Sequence, residues 1–319
     1  MASGAWAQNP TGVTMTFEGL YLQRGDNPGG PSFMTRPTGT TNPVAATDPG
    51  NLDLGGSGGG RVMVGIPAGG FLGLSGTTLE IGGFWAGTFS DNMLYIGPDE
   101  NHDSRYDNHP GNEFQSFNGD FACCFAATLK NTLYGVEANL VAPMAGAGFR
   151  LFAGPRFISL RETLGAHVYD DLLSYNANAG RIDDIRIEVS NDLFGAQIGA
   201  EASLPVAPGI VFSTRISGGL YANRTEVDSI ISDRSGFTAP LIKSNSSTEF
   251  AQGIEILPTL TFELAKNLSL NLGGHLLYLH GVTEATRQFE GVADADAGVV
   301  QGGSAIFYGA RAGLTIRLD

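Results

Sequence analysis

The side chains of this chain best suited to chemistry are carboxylates and guanidiniums spaced two apart from apolar neighbours. Glu18, Glu80, Glu137, Glu201, Glu255 and Glu263, with Arg24, Arg61, Arg150, Arg156, Arg215, Arg311 and Arg317, each sit on the polar side of an alternating stretch. Gathered on one enclosed face, such groups pair and hydrogen-bond, each offsetting the desolvation of the other. From them we take a lumen network of Glu18, Arg61, Glu80, Glu137, Arg150, Arg156, Glu201, Arg215, Glu255, Arg311 and Arg317 as the candidate site.

Other chemistries find less support. His102, His109 and His167 fall in segments that also carry Asp, so a His–Asp proton relay is chemically possible, but no motif places them together. We therefore expect no catalytic residue and no enzyme. The acidic stretches Gly97 to Asn108 and Asp294-Ala295-Asp296 lack EF-hand spacing. Cys123 and Cys124 are the only cysteines, too few for a disulfide scaffold or a Cys-rich zinc site. No metal and no cofactor are expected. A net charge of −14 leaves no basic patch for phosphate backbones, so no nucleic-acid partner is expected either.

The elements that position these charges are strands. From Phe307 to Asp319 the alternation is nearly unbroken, with Tyr308, Ala310, Ala312, Leu314, Ile316 and Leu318 opposite Arg311, Thr315 and Arg317. Val13 to Arg24 repeats it, with Met15, Phe17 and Tyr21 against Thr14, Thr16 and Glu18, while Leu20 and Leu22 break the pattern. Further strands run through Gly60 to Ile66, Thr78 to Phe89, Leu129 to Val141 and from Arg150 onward. The remainder cover Phe194 to Leu204, Ile210 to Asn223, Ile254 to Leu264 and Leu268 to Tyr278. Pro205 to Gly209 and Lys266-Asn267 are turns by composition. Tyr21, Trp85, Phe89, Tyr134, Tyr278 and Tyr308, near strand ends, are candidates for interfacial girdles.

Connections between these stretches alternate in length. Odd-numbered ones run roughly 35, 39, 30, 25 and 27 residues and even-numbered ones roughly 11, 7, 5 and 2, which sorts long loops to one end and tight turns to the other. No apolar run approaches the length of a spanning helix. The prediction is an all-β fold, a transmembrane antiparallel up-and-down β-barrel of about ten strands, with long external loops, short periplasmic turns and both termini at the turn end. Twelve strands is the alternative, if Asn112 to Ala127 adds a hairpin. Residues 1–319 make a single domain. Ala5-Trp6-Ala7 before Gln8 has the form of a cleavage site, which marks residues 1–12 as an N-terminal stub left by an export signal.

Five segments together resemble a porin-like outer-membrane β-barrel family of planctomycete-type bacteria. They are Phe17 to Leu22, Leu133 to Leu140, Phe152 to Glu162, Asn191 to Gly199, and Ile256-Leu257-Pro258 followed by Leu268 to Leu279. The resemblance implies an outer-membrane barrel with Glu137 and Arg156 inside, and it supplies no catalytic residues. The expected function is a narrow pore or a structural surface protein of the bacterial outer membrane with a Glu/Arg-lined lumen. A surface-loop adhesin anchored by the barrel is the alternative, and a hydrolase acting at the external rim a third. Expected partners are outer-membrane lipid, small solutes, and surface partners or further copies of the chain met through the long loops.

Overall fold

The computed structural model describes residues 12–25, 52–68, 76–96, 124–144, 148–169, 181–233, 240–289 and 298–318. Ten strands carry the chain: β1 (Val13–Arg24), β2 (Gly56–Pro67), β3 (Thr78–Ile96), β4 (Cys124–Pro143), β5 (Phe149–Tyr169), β6 (Arg181–Ala207), β7 (Ile210–Asp233), β8 (Leu241–Ala265), β9 (Leu268–Val282) and β10 (Gly303–Leu318). Each pairs antiparallel with its chain neighbours, and β1 pairs with β10 from Val13↔Leu318 to Arg24↔Phe307, so the sheet closes with no free edge. Ten strands complete the barrel, which leaves no place in its wall for the twelve-strand alternative. Residues 112–123 of the segment behind that alternative lie outside the described residues.

The alternation dictates which side chains enter. On β7, for example, Arg215, Ser217, Tyr221, Asn223 and Thr225 point inward, while Phe212, Ile216 and Leu220 are exposed outside. The exposed apolar positions form a band round the barrel that includes Phe17, Ile81, Val136, Ile198, Leu220 and Ile254. Trp85 lies opposite Tyr134 and Phe157 opposite Phe194 across adjacent strands. Ring centroids 5.8 Å apart for Tyr134–Phe157 and 4.5 Å for Phe157–Phe194 make this a continuous aromatic row along the external limit of the band. Just beyond it the outward positions turn charged, with exposed Arg186–Glu188 and Arg224–Glu226 pairs.

Three expectations need correction. Phe89 is no girdle residue: a register shift between Ala86 and Phe89 turns it into the interior, where it is fully buried. The stretch from Pro205 is not yet turn, because β6 runs to Ala207 through an irregularity between Pro205 and Ala207, and Gly209, at φ +74°, makes the reversal. The third and fourth long connections are mostly strand. Only residues 170–180 separate β5 from β6, and 234–240 separate β7 from β8, because β6, β7 and β8 continue past the aromatic row as a tall wall. Asp183 and Asp184 thereby belong to β6, whereas the acidic stretches Gly97 to Asn108 and Asp294-Ala295-Asp296 lie outside the described residues.

Candidate functional site

The interior is built in storeys. Nearest the short turns is a cavity of about 300 Å³. Its wall carries Arg61, Arg150, Arg215, Arg311 and Arg317 with Glu18, Glu80 and Glu201, among hydroxyls that include Thr14, Thr16, Ser203, Ser213 and Thr261.

Deeper in, register sets opposite charges face to face: Glu18 is directly across from Arg61, Glu137 from Arg156, and Glu201 from both Arg150 and Arg215. Glu18 accepts from Arg311 Nη1 at 2.5 Å and Arg61 Nη1 at 3.4 Å. Arg61 also donates to Glu137, at 3.4 Å. Arg150 donates to Glu201 at 2.6 Å, and Arg215 to Glu80 at 2.5 Å, with Glu201 4.0 Å away. Arg156 grips both oxygens of Glu255 at 3.0 Å in a bidentate pair and reaches Gln197 at 2.9 Å. A carboxylate can only accept, so His275, 2.9 Å from Glu255 Oε1, carries its proton on Nε2.

The arginine planes also rest on aromatic rings. Arg215 lies 3.8 Å above the Phe152 ring and Arg156 5.8 Å from that of Phe84. Glycine makes the room: a Cβ on Gly199 would strike the Phe152 ring, and one on Gly135 that of Phe84.

Above this belt the interior turns apolar. Leu22, Phe89, Leu129, Leu133, Leu160, Leu193, Leu279 and Phe307 are at or below 1% exposure, and they belong to one continuous cluster that draws on every strand but β2. Leu52 and Leu54, just before β2, join it. Phe89 and Phe307 meet with centroids 5.5 Å apart. Leu20 and Leu22 do not break the alternation after all: both face inward and fill this plug.

A second polar layer lies over the plug and holds the connection from β9 to β10 down into the barrel. Asn191 acts as a backbone surrogate, donating to Thr283 O at 2.8 Å and accepting from Thr283 N at 2.7 Å. Asn223 donates to Asn191 and to Gly281 O. Glu162 accepts from Ala285 N at 2.8 Å and from Arg24 at 2.5 Å, and Arg24 reaches Glu284 at 3.4 Å. Gln288, in a single 3₁₀ turn (Thr286–Phe289), clamps Val300 through both backbone groups. Burial and then the Glu162 charge push the Glu284 carboxyl above the ordinary glutamate range, although Arg287 and Arg24 pull the other way.

Ten of the eleven predicted lumen residues thus meet one another through ion pairs, and Arg317 lies on the cavity wall with seven of them. Sequence reasoning missed Glu162, Glu284 and Gln288, as well as the part played by Asn191. His167 is on β5 rather than in a loop, and its Nδ1 lies 2.6 Å from Asp184 on a half-exposed outer face, away from the interior. His102, His109 and Cys123 lie outside the described residues, as does the side chain of Cys124. Among the described residues no three His, Cys, Asp or Glu side chains converge as metal ligands, and no helix is long and apolar enough to cross a membrane.

A closed barrel with an apolar exterior, an aromatic row and a packed apolar layer across its interior offers its outer surface to lipid. This is a closed ten-stranded antiparallel β-barrel of the transmembrane type. A solved structure agrees on the fold: the Escherichia coli outer membrane protease OmpT superposes with a TM-score of 0.50 at 10% identity, over 97% of each chain. A major outer membrane protein of Thermus thermophilus gives 0.30 at 14% identity, over 95% of this chain and 99% of that one. A mutant of the TodX monoaromatic hydrocarbon channel gives 0.36 at 7%, over 98% and 92%. At these identities the likeness concerns fold alone and brings no activity across. No family model and no curated protein matches the sequence.

Proposed function

We infer that the chain is a structural surface barrel of the outer membrane whose lumen is closed at rest, with the Glu/Arg belt fixing its lower interior. The observation that carries this reading is the apolar plug: side chains from nearly every strand meet across the lumen without exposed surface, and the β9–β10 connection is pinned over them. A diffusion pore needs a continuous wet path, and a layer packed like a protein core offers none.

Planar-bilayer recordings of the purified protein test this. We expect no steady conductance, and none after Glu137→Gln with Arg156→Met, because the plug stands above that pair. A reproducible open channel in the unaltered protein would overturn the closed reading in favour of a narrow pore for small solutes.

A second reading is favoured by the tall wall of β6, β7 and β8, which lifts exposed Arg186–Glu188 and Arg224–Glu226 pairs beyond the aromatic row. A barrel serving as an anchor for a contact surface would be shaped in this way. Attachment to host or neighbouring cells that is unchanged by charge reversal at Arg186 and Arg224 would count against that surface.

A further inference from the structure

Just beyond the aromatic row, a groove of about 510 Å³ crosses β4 to β7 on the outer face of the barrel. Lys130 lies four residues beyond Tyr134 and Arg161 four beyond Phe157, about 13 Å along a strand and roughly 10 Å in height at the usual tilt. Both side chains are exposed, and among the described residues neither has an ion-pair partner. Their apolar stems are long enough to bend back towards the headgroup layer that the rings mark.

A lone anion finds no surplus of charge here. Arg186 and Arg224 are taken by Glu188 and Glu226, Glu162 belongs to the interior pair with Arg24, and Asp192 and Asp228 equal Lys130 and Arg161 in number. What the surface does is separate the signs, with the unmatched cations on β4 and β5 and the unmatched acids on β6 and β7. Asp192 lies directly across from Ser159, and Arg161 is two residues beyond Ser159 on the same face. One buried oxygen of Asp192 and the hydroxyl of Ser159, itself 0% exposed, have no hydrogen-bond partner among the described residues. Buried acceptors of this kind are costly until a donor serves them.

We propose that this surface holds a phosphoethanolamine lipid headgroup, with the phosphate on Lys130 and Arg161 and the ammonium on Asp192 and Ser159. The two-carbon link between phosphate and nitrogen spans about one interstrand spacing, ~4.8 Å, which is the offset between β5 and β6. A primary ammonium carries three N–H donors, enough for both orphan oxygens, whereas a trimethylammonium carries none. The acyl chains continue down the wall over exposed Phe194 and Val136. The proposal rests on the barrel standing in a membrane with the aromatic row at its interface. It does not depend on a closed lumen, so it and the closed-lumen reading can fail separately.

Native mass spectrometry of the full chain, released from detergent micelles carrying one added lipid at a time, provides the test. The probe is dimyristoyl phosphatidylethanolamine, and the phosphatidylglycerol and phosphatidylcholine of the same chains are the comparisons. We expect one phosphatidylethanolamine to be retained at least fivefold more tightly than either of the others. Lys130→Gln with Arg161→Gln is expected to weaken that binding at least tenfold. Asp192→Asn is expected to abolish the preference over phosphatidylglycerol, because the ammonium loses its carboxylate while the phosphate keeps both cations. Gel mobility confirms that each variant is folded. Equal retention of the three lipids by the unaltered protein, or an unchanged preference in folded Asp192→Asn or in folded Lys130→Gln with Arg161→Gln, would overturn the proposal.

Discussion

Replacing Phe307 with Ala probes the plug most directly. The ring is fully buried, lies 5.5 Å from Phe89 centroid to centroid, and faces Leu277 across the β9–β10 ladder. Truncating a buried phenylalanine costs about 3–5 kcal/mol, and loss of an aromatic pair contributes about 0.5–1.5 kcal/mol to such a total. Collapse is a poor remedy here, because a closed ladder holds the surrounding strands at fixed spacing, so the upper part of that range is expected. The assay is urea unfolding in detergent micelles, followed by intrinsic fluorescence and by the gel-mobility difference between folded and unfolded barrels. At about 4 kcal/mol the midpoint should fall by more than 1 M for a slope in the usual range of roughly 1–3 kcal/mol/M. Conductance should remain silent, since the cavity left behind is walled by the rest of the cluster. A loss under about 1 kcal/mol would show that the ring faces water, and the packed-lumen argument would fail with it.

Other perturbations address the polar layers. Glu255→Gln leaves Arg156 buried beside a neutral partner and should destabilise the barrel by about 3–5 kcal/mol in the same unfolding assay; a change below 1 kcal/mol would mean that solvent already serves Arg156. Asn191→Ala strips the Thr283 backbone N–H and C=O of their side-chain partner and should cost about 1–3 kcal/mol, with faster hydrogen exchange confined to residues 283–289; uniform or unchanged exchange would refute its role as a pin. The Glu284 carboxyl, facing Arg24 on β1, Glu162 on β5 and Arg287 on its own segment, is raised in the folded state, so folding favours its protonated form. Its contribution is full below the ordinary glutamate value and is lost as pH rises through the folded value. Exchange of the 285–289 amides should therefore quicken from acid to neutral pH, and Glu284→Gln should flatten that dependence; an identical slope in the variant would contradict the assignment.

How far the sequence could be read follows from what alternation encodes. It reports faces, so the inward placement of Glu137, Arg156 or Arg311 was legible from two-residue periodicity alone. It reports poorly where both faces have the same polarity. Leu20-Tyr21-Leu22 and Leu276-Leu277-Tyr278-Leu279 look like lapses because inward and outward positions are both apolar there, yet such continuous runs are the signal of strand buried on both sides, and they locate the plug. The reverse failure hides the tall wall. Ser244 to Glu249 is polar on both faces and has the composition of a loop, but pairing from Ser244↔Asp228 to Glu249↔Asn223 makes it strand. Glu162 and Asn191 were out of reach for another reason, since their partners are backbone groups of a connection whose inward fold depends on tertiary packing.

The seam between β1 and β10 sets a condition on how this molecule is made. Thr16 bonds Thr315, 2.8 Å apart and 299 residues away in the chain, and Glu18 bonds Arg311 across 293 residues. These contacts join the first strand of the barrel to its last, and pairings so distant in sequence form slowly. Until synthesis reaches the last strand, β1 presents an unpaired row of amides and carbonyls, together with a carboxylate that has lost one of its two cations. An edge of that kind invites pairing with another chain. Closure therefore doubles as a checkpoint: a copy truncated anywhere before Arg311 leaves the first strand open, and insertion has to await the end of the chain or shelter its beginning.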